Sequence, residues 1–522
     1  MKRASFWRSW PRSISLLRVD LVVGVAAALL VAVDALARPG GGGSFSGGGG
    51  GGGGGGYGGG SYGGGGSSGG GGGGLMLWLF FNLLPWPLKL VVVAGIIAYV
   101  LLKMAPDRRG TDWSTTGGAV PDYTPPPRYD RGSGESPRAT LARLRENDPA
   151  FSIILFEDFL YTLYAEAQQR RARGELKMLS AYLSQAVIAR LESAPREPIL
   201  GLVIGAMRYE SARITGDGPL GMATVSVELE VNLTVQGAKG PASAYLVEVW
   251  QLARRAGAQS RPPASATILD CPNCGAPLSA VIAGRCTHCN QQVATGDFGW
   301  VVQQAEIRHY EAKPPLLTSE VQEEGNNLPT VIDRNAAPGL DALWRRDPSF
   351  AWPQFEQRVG LIFREFQVAW SNRDLKQMRP FLSDNLFQQQ TYWVQAYLAQ
   401  HLRNVTENAR IERLDLARVD ADAAFDAITV RVFASSLDYT LTDDGKLVTG
   451  SRSRERRYTE YWTLIRGSSK KGPTRTEPVC PSCGAPLEIN MAGTCKYCQA
   501  KVTSGEFDWV LSRIEQDEVY TG

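Results

Sequence analysis

The sequence predicts an α+β protein in which helices precede an antiparallel sheet, and this order is written twice along 522 residues. Three observations carry the prediction. Asp148-Pro149-Ala150-Phe151 returns 199 residues later as Asp347-Pro348-Ser349-Phe350, and each copy opens a stretch with apolar residues at spacings of three and four. Each stretch then changes to a period of two, the signature of strands with one buried face. Finally, all eight cysteines fall in two boxes of one form, CPxCGAPL followed by GxCxxC.

In the first stretch the helical face is Phe156, Leu160, Leu163, Tyr164 and Ala167; in the second it is Phe355, Val359, Ile362, Phe363, Phe366 and Trp370. Aspartate followed by proline suits an N-cap and first helical turn, because the carboxylate accepts free NH groups and proline has none to leave unpaired. A shorter helix follows, where Tyr182-Leu183-Ser184 matches Phe381-Leu382-Ser383. Strands come next: Val225, Val227, Leu229, Val231, Leu233 and Val235 alternate with polar residues, as do Ile428, Val430 and Val432. A further strand carries ExWxLxR in both copies, from Glu248 to Arg254 and from Glu460 to Arg466.

The cysteines are Cys271, Cys274, Cys286 and Cys289, then Cys480, Cys483, Cys495 and Cys498, with eleven residues between the inner pair each time. The segment 293–300 (VATGDFGW) returns as 502–509 (VTSGEFDW), so the boxes are two copies of one module. Two CxxC turns supply four thiolates for a tetrahedral zinc, and Gly275 and Gly484 permit the turn geometry. Four cysteines leave no position for water, so two structural zinc ions per chain are expected, with no catalytic one. His288 has Tyr497 as its counterpart and is not needed as a ligand. A redox role for the CxxC pairs is the alternative, weakened by the second pair eleven residues away.

The N-terminal hundred residues are of another kind. Residues 1–37 read as a signal peptide: a basic start, thirteen apolar residues at 21–33, then Ala35-Leu36-Ala37 for cleavage. An uncleaved anchor is the alternative. Residues 38–74 are a glycine-rich coil interrupted by Phe45, Tyr57 and Tyr62, a spacer or a segment for self-association. Residues 75–102 are long and apolar enough for a transmembrane helix, and Lys103, Arg108 and Arg109 behind it place that end in the cytoplasm by the positive-inside rule. A linker at 103–136 leads to the repeats. The expected layout is 137–268 and 341–475 for the helix-and-sheet regions, 269–312 and 476–522 for the cysteine modules and the segments after them, and 313–340 for the connection. A cytoplasmic location agrees with reduced, metal-binding cysteines.

The stretch FREFQVAWSNRDLKQMRPFLSDNL at 363–386, followed by strands ending in TEYWTLIR, resembles the Tim-forty-four-like domain, named for a membrane-associated subunit of the mitochondrial presequence translocase. Bacterial members share the layout of signal peptide, glycine-rich segment, membrane helix and domain. In the first copy Ala167 and Arg171 stand where the second has Phe366 and Trp370. The resemblance implies tandem cones related to nuclear transport factor two, each a curved antiparallel sheet wrapped by helices around a pocket, each followed by a zinc ribbon. It implies a membrane-anchored binding protein at the cytoplasmic face of a bacterial inner membrane, taking a membrane lipid or a membrane-protein client.

Trp250, Phe363, Phe366, Trp370 and Trp462 could line an apolar ligand pocket in such cones; the alternative is plain core. The net charge of +3, from 55 basic and 52 acidic residues, exerts no general pull on nucleic acid. Local basic clusters at Arg254-Arg255, at Arg452 to Arg457 and at Lys470-Lys471 are poorly interleaved with aromatics, so a solvated face is expected rather than a nucleic-acid partner. Three histidines, none in a motif with a nucleophile, and the lack of a phosphate loop or GxSxG point away from an enzyme. A zinc-ribbon scaffold for protein or nucleic-acid contacts, without a ligand pocket, is the second functional expectation.

Overall fold

A computed structural model describes residues 136–216, 218–312, 317, 326–517, 520 and 522. The expected signal peptide, glycine-rich coil and transmembrane helix, with nearly all of the first linker and part of the second, lie outside the described residues. Among the described residues no helix is long and apolar enough to cross a membrane.

Each half begins with helices. In the first, Ser136 caps α1 (Pro137–Ala142) by accepting the Ala139 NH. The long α2 (Ile153–Arg173) is capped by Ser152 and stopped by Gly174, whose φ of 75° only glycine adopts without strain. The short α3 (Gln185–Glu192) is capped by Ser184. Three long strands follow, β1 (Ile199–Thr215), β2 (Met222–Gly237) and β3 (Gly240–Arg255). A two-stranded turn of β4 (Val281–Ile282) and β5 (Arg285–Cys286) precedes β6 (Val301–Glu311). The second half repeats the order with α4 (Ala336–Arg346), α5 (Trp352–Asn372), α6 (Leu375–Met378), α7 (Asp384–Ala399), β7 (Leu402–Ala421), β8 (Phe425–Thr442), β9 (Leu447–Gly467) and β10 (Val510–Gln516).

The sheets run β1-β2-β3-β6 and β7-β8-β9-β10, antiparallel throughout, so both halves have the same topology. This corrects the sequence boundaries at 269 and 476. The strand that follows each cysteine module pairs with the strand before it, Trp250 opposite Ala305 and Trp462 opposite Ile514. Each module is therefore inserted between the third and fourth strands of its sheet and does not trail behind it.

A second correction concerns Asp148 and Asp347. Neither caps the long helix, which starts five residues later in each half, behind Ser152 and Ala351. Their carboxylates turn inward to buried guanidinium groups, an interaction worth more than a solvated cap in a water-free site.

The Tyr-Leu-Ser and Phe-Leu-Ser motifs each have two backbone duties. Leu183 and Leu382 bridge in parallel to Val302 and Leu511 of the last strands, while Ser184 and Ser383 cap α3 and α7. The predicted strand faces are buried: Val225, Val227, Leu229 and Val231 in the first sheet, Ile428, Val430 and Val432 in the second. The halves meet through α2, whose Ile154 and Leu155 pack on Phe425, Ala427, Ile465 and Val510. Around this seam Glu157 holds Arg138 at 2.6 Å and also pairs with Arg513 of the second half, and Asp158 accepts from the Asn385 amide.

Candidate metal centres

The cysteine boxes are built by pairs of tight turns. In the first turn of each, the Gly275 and Gly484 NH groups donate to the Cys271 and Cys480 carbonyls at 2.9 and 2.8 Å, with φ of 73° and 74°. The second turn places a side-chain residue in the same left-handed region, Asn290 at 58° and Gln499 at 62°. Such positions carry a small steric cost for non-glycine residues, which a bound metal can offset.

All eight thiols are free of disulfides. Within each box the four sulfurs lie within 4.8 Å of one another. Cys271 and Cys289 are 3.9 Å apart, Cys274 and Cys286 3.8 Å, and Cys480 and Cys498 3.9 Å. A tetrahedron with zinc–sulfur bonds of ~2.3 Å has sulfur edges of about 3.8 Å, so the donor set fits that ion. The Asn273 side chain and the Gln291 NH bring the Cys289 thiol down to about 6, and the Ala500 NH leads in bringing Cys498 down to about 7. Burial pushes Cys271 and Cys480 up to about 12. A metal ion is what such buried thiols need to ionise.

The two boxes differ in their support. The first is continuous with the main core of its half: Cys271, Cys286, Val281 and Val293 belong to the cluster that holds Trp250 and Leu252. The second forms a small cluster of its own from Cys480, Ile489, Cys495 and Val502. Arg379 ties it to the helices, donating to the Met491 carbonyl at 2.9 Å and the Leu382 carbonyl at 3.0 Å.

The five aromatic residues expected at a pocket lie in the cores. Trp250 and Trp462 have no exposed surface, Phe363 and Phe366 pack against Trp462 with ring centres 5.6 and 6.1 Å away, and Trp250 lies 5.0 Å from Tyr164. Trp370 donates its indole NH to Asn404 at 2.8 Å. Several residues of the basic clusters are occupied internally: Arg254 with Asp148, Arg255 with Asp297 and Arg456 with Asp438.

A constellation that is not apparent from sequence joins three of the repeated motifs. The Arg254 guanidinium donates to Asp148 at 2.7 Å and lies 5.4 Å from the ring centres of both Phe151 and Trp300. In the second half Arg466 pairs with Asp347 at 3.0 Å and lies 6.0 Å from Phe350 and 4.8 Å from Trp509. Both ion pairs are almost fully buried. Each latch joins the turn before the long helix, the end of the third strand and the return from the cysteine box. The recurrence of DPxF, ExWxLxR and the terminal tryptophan of GxFxW was the available signal; only tertiary structure shows that the three converge.

The fold and site together define an α+β protein with two cysteine clusters, each able to hold a metal ion. Residues 336–474 match the family model of the Tim44-like domain. The match begins at α4 and ends before the second cysteine box. No curated protein matches the chain.

Proposed function

We propose that the chain is a non-enzymatic binding protein at a membrane, with a role related to protein transport or assembly. The observation that carries this reading is the Tim44-like match at 336–474. The common topology of the two sheets supports a duplication in which residues 137–311 form a second, diverged copy. The boxes hold one structural zinc each, since their sulfur spacing suits that ion and four thiols close its coordination. The apolar run at 75–102 anchors the chain in a bacterial inner membrane, with the repeats on the cytoplasmic face and the glycine-rich segment outside.

The partner is a membrane lipid or a membrane-protein client. A second reading, a zinc-ribbon scaffold without a ligand pocket, draws support from the burial of Trp250, Phe363, Phe366, Trp370 and Trp462. Native mass spectrometry of the full chain, extracted from membranes, separates the two: a lipid or membrane protein retained in defined stoichiometry supports the first, and bare protein from every preparation supports the scaffold. Extraction in the soluble fraction would remove the membrane reading altogether.

A further inference from the structure

Beside the first latch is a cavity of about 80 Å³ whose walls include Phe151, Phe156, Phe159, Tyr182, Phe298 and Trp300. At the corresponding place in the second half stands a buried arginine. The long helices align at an offset of 199 residues and the returns from the cysteine boxes at 209, which sets Arg358 where the first half has Phe159 and Asp508 where it has Gly299. Arg358 is buried and donates through Nε and one terminal nitrogen to the Trp509 carbonyl, at 3.1 and 3.0 Å. Its guanidinium lies 5.9 Å from the Phe381 ring, just as Phe159 lies 5.6 Å from the equivalent Tyr182. The first half thus has a ring and a glycine beside its aromatic slot where the second half has a long cation and an aspartate.

The wall chemistry selects the ligand. Two cations line the slot, and both are neutralised within the protein: Arg254 by Asp148, and Arg261 by Asp270 at 2.5 Å and the Cys271 carbonyl at 2.6 Å. The Ser260 hydroxyl is likewise spent on Asp148, at 2.6 Å. No charge is left over to hold an ionic group, while ring faces and edges offer contact to an apolar one. A closed cavity of about 150 Å³ encloses benzene, so the smaller volume here takes one end of a ring-sized group, with the remainder at the mouth beside Ile268, which is 51% exposed.

We propose that this slot is a binding site for the apolar end of a neutral, ring-sized group, present in the first half and plugged by Arg358 in the second. The proposal is independent of the membrane reading.

Photolabelling the full chain with a trifluoromethylphenyl diazirine, with excess toluene as competitor and peptide mapping by mass spectrometry, tests it. Insertion is expected in the peptides holding Phe159 and Phe298 to Trp300, suppressed by toluene and not by benzoate or benzylammonium. Phe159→Arg with Gly299→Asp copies the second half, and a Cβ at position 299 would meet only the Pro272 side chain, at 3.7 Å. This variant should lose the toluene-sensitive labelling at least tenfold while keeping its unfolding transition. If it does not fold, Phe159→Trp fills the slot with like chemistry and should give the same loss. Absence of toluene-sensitive insertion in the wild-type peptides, insertion unchanged in the folded variant, or equal competition by the ions overturns the proposal.

Discussion

Arg466 and Asp347 show what a buried charge demands of its surroundings. Their side chains are 1% and 2% exposed, so neither can be solvated if the other is lost. Asp347→Ala should destabilise the protein by about 3 kcal/mol by leaving the guanidinium only the more distant Asp426 carboxylate, at 3.8 Å, whereas Asp347→Ala combined with Arg466→Met should recover much of the loss. Urea unfolding of both variants checks this, and a double variant no better than the single one refutes it. The residues of this pair stand out in the sequence as repeated motifs. Their pairing does not, because 118 residues of intervening chain must fold before Asp347 meets Arg466.

At the level of elements, the cysteine modules close a sheet. Because β6 comes after the first box and pairs with β3, loss of metal from that box should loosen strands as well as the ligand loops. The two boxes should respond differently. Cys271 and Cys286 share a core cluster with Trp250, so Cys286→Ser is expected to raise amide exchange throughout β3 and β6. Cys495→Ser should act mainly within 478–502, where the small cluster of Cys480, Ile489 and Val502 stands apart. Hydrogen-exchange mass spectrometry distinguishes these outcomes, and identical footprints would refute the difference. Ligand spacing made the boxes readable from sequence. Their insertion within the sheets was hidden because the fourth strands, short of strict alternation and lying beyond the tryptophan, read as tails.

For the whole molecule, the seam between the halves carries a titrating group. Burial first, and the neighbouring Glu157 charge second, push the Asp158 carboxyl up to about 7, although its hydrogen bond from Asn385 opposes the shift. An acid with a raised folded pKa keeps its proton in the native state after the unfolded chain has lost it. Its contribution therefore favours folding at low pH and is lost as pH rises from about 4 to 7, at up to ~1.4 kcal/mol per pH unit. Asp158→Asn should remove that slope. Subtracting its stability curve from that of the wild type, measured by urea unfolding between pH 4 and 8, isolates this group from the other carboxylates; parallel curves would refute the assignment.

Local information was enough for the sequence to determine the helix-then-strand order, the buried strand faces of Val225 to Val231 and Ile428 to Val432, and the two cysteine donor sets, because period and ligand spacing are properties of neighbouring residues. Tertiary structure alone decided that Asp148 and Asp347 leave the helix ends for buried arginines, and that α2 has a second apolar side at Ile154 and Leu155 for the other half. It also decided that Phe159 lines an open slot while Arg358, at the same position of the repeat, is buried against the Trp509 carbonyl. Those outcomes depend on which distant surfaces meet and how completely water is excluded between them, and no periodicity along the chain records that.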